Sequence, residues 1–164
     1  MTDLPKRIEH AKWLLERTLG WIATADVKVG VAVAIDTAMF GGLAAAFAAS
    51  DTSTRTTWAY LALISSCVCL AAAVFCASMA AIPRMLGPVS SNIFFARIAE
   101  QTTHEFSEAF TRLDDPAFLA DLTTQIHRNA EIATVKHSWV RKSLTWSFLA
   151  VMPWAAAIAF LVKT

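Results

Sequence analysis

The residue with the most pointed chemistry in this chain is Asp36, an acid set inside an otherwise apolar run from Val29 to Ala49. An ionised, unpaired carboxylate costs several kcal/mol in hydrocarbon, so the group must face a bundle interior or an aqueous gap, or carry a proton. Two readings follow: a polar contact or ion pathway in an oligomer, or an internal hydrogen bond between helices, for example to Ser65 or Ser66. Its neighbours Thr37, Gly41, Gly42 and Ala45 are small, and small residues let membrane helices approach closely. Asp26 and Lys28, at the edge of the run, read as interfacial anchors or as further membrane-function residues.

The other reactive types form no catalytic constellation. His127 and His137 are too far apart to share a turn, His104 lies on another predicted helix, and no cysteine completes a structural zinc set. Asp114, Asp115 and Asp121 could hold a divalent ion, but helix capping accounts for two of them. All three cysteines (Cys67, Cys69, Cys76) fall inside a second apolar run, where they serve packing. Of five glycines, Gly30, Gly41 and Gly42 lie in the first run, and no glycine-rich phosphate loop is formed. The chain reads as a non-enzyme with no metal and no resident cofactor.

The elements that position these residues are three apolar stretches, Val29–Ala49, Thr57–Ile82 and Leu144–Val162. At ~1.5 Å per residue each crosses a hydrocarbon layer of roughly 30 Å. A content of 56% hydrophobic and 16% charged residues is too apolar for a soluble domain of 164 residues, and a net charge of +1 argues against nucleic-acid binding. Of the 14 Lys and Arg, five precede or border the first stretch, one (Arg55) lies in the first loop, seven lie between the second and third, and Lys163 follows the third. Positive charge stays inside, so the N-terminus is expected in the cytoplasm and the C-terminus outside.

These observations predict an all-α membrane protein, with a last cytoplasmic helix continuous with the third span. The divisions are a cytoplasmic amphipathic helix (1–26), a first span (27–49), an external loop (50–56), a second span (57–82), a cytoplasmic helical module (83–143) and a third span (144–162). The first helix carries Ile8, Trp13, Leu15, Leu19 and Ile22 at mostly helical spacing and is expected to pack on the module; its acids exclude a cleaved signal peptide. Trp58, Tyr60 and Trp146 read as interfacial aromatics. Turn formers from Pro83 to Asn92 end the second span, with Ser91 or Asn92 capping a helix from Ile93 to about Arg112. Asp114-Asp115-Pro116 then starts the helix that leads into the third span.

The order and spacing of Asp26-Val27-Lys28, Pro83-Arg84, Asn92-Ile93-Phe94-Phe95 and Gln125-Ile126 through Lys136 resemble the membrane effectors of Pycsar antiphage defence over nearly the whole chain. Ala96, Val29 and Phe106 depart from the family pattern. The resemblance implies that a partner pyrimidine cyclase makes cyclic CMP or cyclic UMP, and that the effector, a homo-oligomer, responds by damaging the membrane and killing the cell. A site for such a ligand needs cations for the phosphate and flat partners for the base. Arg97 and Lys136 lead the candidates, followed by Arg84, Arg128, Asn92, Phe94 and Phe95, with Phe106 as another stacking residue. Arg84 and Lys28 also suit phospholipid headgroups. Two rivals stand beside this reading: a membrane scaffold whose cytoplasmic helices bind a protein, and a holin-like pore that opens without a ligand.

Overall fold

The computed structural model describes residues 3–82 and 91–162. Among them all regular structure is α-helical: α1 (Leu4–Ala49), α2 (Thr57–Ala81), α3 (Phe95–Glu100), α4 (Thr103–Arg112) and α5 (Asp115–Leu161). Three helices, α1, α2 and α5, are long and apolar enough to cross a membrane, and the chain is an all-α membrane protein as its composition predicts. Its contacts fall into two units, one of Met1–Thr24 with Pro83–Val135 and one of Ala25–Ile82 with Lys136–Thr164. The division falls inside α1 and inside α5. The expected amphipathic helix and first span are therefore parts of one 46-residue helix, and no turn former interrupts the sequence between them.

Burial along α1 follows a strict three-four alternation: Ile8, Ala11, Leu15, Thr18, Ile22, Ala25, Val29, Ala32, Asp36, Met39, Leu43 and Ala46 are buried or half-buried. The same alternation runs along α5 through Leu119, Leu122, Ile126, Asn129, Ala133, Lys136, Val140, Ser143, Ser147, Ala150, Trp154, Ala157 and Leu161. A repeat of 3.5 residues is the pattern of helices that wind about each other with side chains interlocked. It also corrects the expected packing face of the N-terminal helix. Trp13 and Leu19 fall off the seam and are exposed, at 62% and 49%, whereas Ala11 and Thr18 take the buried positions.

In the first unit the seams meet through Ile8, Ala11 and Leu122, with Leu15, Leu119 and Ile126 around them. The second unit has three apolar clusters: Ala25, Val29, Ala77, Ala80 and Val140; Leu43, Leu70, Ala150 and Ala157; and Ala46, Ala59 and Leu161. Alanine dominates because close helix approach, rather than water exclusion, holds helices together in lipid. Polar links also tie the bundle: Ser143 Oγ donates to the Ala73 carbonyl at 3.0 Å, and Trp154 Nε1 to the Met39 carbonyl at 3.0 Å. The Trp154 indole lies against Gly42, where an added Cβ would meet it at 3.5 Å. Large apolar side chains such as Ile64, Phe75, Phe148 and Met152 point outward, toward lipid.

Arg55, the one basic residue of the first loop, does more than turn the chain. Its guanidinium donates to the carbonyls of Phe47 and Ser50 and to Ser50 Oγ, and it lies 4.4 Å over the Phe47 ring. It thus satisfies carbonyls left open at the end of α1 and places positive charge at the negative end of that helix. Thr56 caps α2 by accepting from the Ala59 amide.

The helix expected from Ile93 to Arg112 is two helices. The break at Gln101-Thr102 is a capping box: Thr102 Oγ1 accepts from the Glu105 amide, while Glu105 accepts from the Thr102 amide. Asp114 caps α5 by accepting from the Ala117 amide at 2.8 Å. Hydrogen bonds from Thr102, backbone first and then hydroxyl, hold the Glu105 carboxyl below the usual glutamate range. A depressed carboxylate pKa contributes stability that is present above the unfolded value and is lost as pH falls through the folded one. Thr102→Ala is expected to cost about 1 kcal/mol in α4, raising amide exchange there roughly fivefold while leaving the second unit unchanged. In the wild type, α4 protection, corrected for intrinsic exchange, should decline as pH drops below the ordinary glutamate range.

Candidate functional site

Asp36 is fully buried in the second unit. Neither carboxylate oxygen has a hydrogen bond among the described residues, and neither does the buried Ser66 hydroxyl. The polar group closest in role is Ser147, which interacts with the Asp36 carboxyl but directs its own hydroxyl to the Ser143 carbonyl at 3.1 Å. Neither Ser65 nor Ser66 bonds it. Beside this layer is a cleft of about 110 Å³ walled by Ala32, Ile35, Leu144 and Phe148. Leaving a buried polar group unsatisfied costs on the order of 1–3 kcal/mol, so the Asp36 layer is the weak course in an otherwise well-packed seam.

Asp26 and Lys136 form an ion pair within the second unit. The Lys136 side chain is 9% exposed and that of Asp26 48%. Lys136, one of two leading ligand candidates, is thus occupied by Asp26, a residue singled out for a different role. The sequence gives no local sign of the pairing, because the partners lie on different helices. Lys28 is exposed and makes no ion pair among the described residues.

In the first unit, the candidate cations are met by acids one turn away. Arg97 bonds Glu100 at 2.6 Å and Arg128 bonds Glu131 at 2.8 Å, spacings that favour contact on any helix. The Arg128 hydrogen bond, followed by the charge of His127, holds Glu131 below the usual glutamate range. The Asn92 amide donates to Asp121 Oδ2 at 2.7 Å, tying its segment to α5, and Ser91 Oγ accepts from the amides of Ile93 and Phe94. Phe94 and Phe95 stack edge to face at 4.9 Å, and Phe106 lies 5.9 Å from Phe110. Arg84 lies outside the described residues.

The unit's free positive charge lies on α1 instead. Arg17 makes no ion pair among the described residues. It lines an open groove with Trp13, Glu16, Gly20, Trp21 and Thr24, on the face turned away from the buried seam. Sequence reading missed this groove because Trp13 was placed on the packing face; the three-four alternation, followed from Ile8, would have put Trp13 and Trp21 outside it. No group of three or more His, Cys, Asp and Glu among the described residues is arranged to hold a metal ion.

Fold and site define a multi-pass helical membrane protein with a separate polar helical unit. Residues 10–163 match the model of the Pycsar effector protein domain, PycTM. The chain therefore belongs to the Pycsar effector family, membrane effectors of antiphage defence. No curated protein and no solved structure matches it.

Lys136 is buried and Asp26 half exposed, so removing Asp26 strands a buried charge, whereas removing Lys136 leaves a carboxylate that water can solvate. Asp26→Ala is expected to lower the midpoint of thermal unfolding in detergent by several degrees. Lys136→Met should cost less than half as much, and the double variant should resemble Lys136→Met. Equal losses for the two single variants would count against the pair as the source of the effect.

Proposed function

We propose that this effector, in the bacterial inner membrane with its N-terminus in the cytoplasm, binds a cyclic pyrimidine mononucleotide, cyclic CMP or cyclic UMP, made by a partner cyclase. Binding opens the membrane bundle, and the resulting leak kills the infected cell. The family match along residues 10–163 carries this reading. It is supported by the sorting of Lys and Arg and by a polar unit larger than membrane insertion alone requires.

A ligand shifts an equilibrium only by its differential affinity for two states. A second state would come at low cost, because among the described residues the two buried Asp36 oxygens lack hydrogen bonds. A rearrangement that admits water there recovers hydration that the closed bundle forgoes. The acid then lines the opening and favours cations. Subunits assemble around it, since three helices from one chain enclose no pore of their own.

Proteoliposomes carrying the purified protein should release potassium or a small dye at least tenfold faster with cyclic CMP or cyclic UMP than without. Equal leakage in both conditions would overturn the reading. Asp36→Leu should bind nucleotide as the wild type does, fold at least as stably, and lose most of its toxicity in cells expressing the cyclase. Undiminished killing would remove Asp36 from the mechanism.

A further inference from the structure

We infer that the groove formed by Trp13, Arg17 and Trp21 on α1 is the binding site for a small planar anion, and that this is where the nucleotide of the proposed function docks. The inference rests on that reading. Trp13, Arg17 and Trp21 follow one another at four-residue steps, so their side chains lie along one face of the helix. Glu16, Gly20 and Thr24 form a parallel row beside them. This face is opposite the buried seam, where a helix is expected to be polar, yet Trp13 is 62% and Trp21 45% exposed.

The chemistry of the groove fits a cyclic mononucleotide part by part. Arg17 presents a guanidinium that no acid among the described residues neutralises, unlike Arg97 with Glu100, Arg112 with Glu108 and Arg128 with Glu131. A fork of N–H donors suits a phosphodiester carrying one charge. The two indoles flank it and offer flat faces on which a base can stack. Gly20 leaves the floor bare, since an added Cβ would meet nothing within 4 Å, and a ligand can therefore lie against the helix. Thr24 Oγ1 donates to the Gly20 carbonyl at 2.8 Å, which leaves the hydroxyl oxygen free to accept from an exocyclic amine, as Glu16 also can. The groove is open to solvent and walled by α1 side chains, with about 510 Å³ between them.

The experiment titrates the full-length protein in nanodiscs with cyclic CMP and with cyclic UMP, read by calorimetry and by tryptophan fluorescence, with helix content checked by circular dichroism. The wild type should bind one of them. Arg17→Gln, Trp13→Leu and Trp21→Leu should each weaken binding tenfold or more, while Trp13→Tyr retains most of it. Gly20→Leu fills the floor with a better helix former and should abolish binding without loss of helix. Arg7→Gln should stay within twofold. If the wild type binds neither nucleotide, the functional reading falls and the groove assignment with it. If the wild type binds and Gly20→Leu and Arg17→Gln bind equally well, only the groove assignment falls. A Gly20→Leu protein that changes subunit number but keeps its affinity shows the face to be a contact between copies, which also overturns the assignment.

Discussion

Hydrocarbon offers no partner for a backbone amide or carbonyl, and most of this chain's architecture follows from that single constraint. A segment in lipid must satisfy its own backbone, which a helix does and an irregular strand does not. Hence the apolar parts of α1 and α5 run without a break, and Pro153 inside α5 costs only a local bond that neighbouring groups can absorb. Where α1 does end, its open carbonyls are taken up at once by Arg55. Polar side chains in the bundle are tolerated on the same terms. Ser143 and Trp154 reach across to carbonyls of other helices, and Ala, Val and Leu fill most of the remaining seam positions.

Against that background Asp36 is the exception with physical consequences. Polar residues at single seam positions commonly fix register at some cost in stability. Here Asp36 and Ser147 stand apart in sequence by the same interval as Val29 and Val140, and as Ala32 and Ser143, so all three pairs keep one register. Ser143 is repaid by its bond to Ala73; among the described residues Asp36 has only the neighbouring Ser147, whose hydroxyl is directed to the Ser143 carbonyl. Opening the bundle at this layer therefore recovers more than opening it at Leu43 or Leu70, where separation exposes only apolar surface.

The spans were legible because lipid demands a composition, and composition survives in single sequence. The seam was legible only in principle: Trp13 and Leu19 are apolar at roughly helical spacing, and a loose reading admits them, while the 3.5-residue repeat excludes them. The break at Thr102 carried its own signal in Thr-x-x-Glu, which the continuous apolar pattern from Ile93 to Phe110 obscured. The ion pairs of Arg97 and Arg128 were readable from three-residue spacing alone. The pair between Lys136 and Asp26 was not, since nothing in either segment names a partner on another helix.

This distinction also bears on where a ligand can act. A cation already held by a carboxylate must give up that bond before it binds a phosphate, so much of its attraction is spent on exchange. Arg97, Arg128 and Lys136 are all in that position. Arg17 is not, and the indoles that flank it are exposed although α1 has a buried face available. A side chain as large as tryptophan, twice placed on the open side of a helix and twice beside the same free cation, is better explained by what it contacts than by what it packs against.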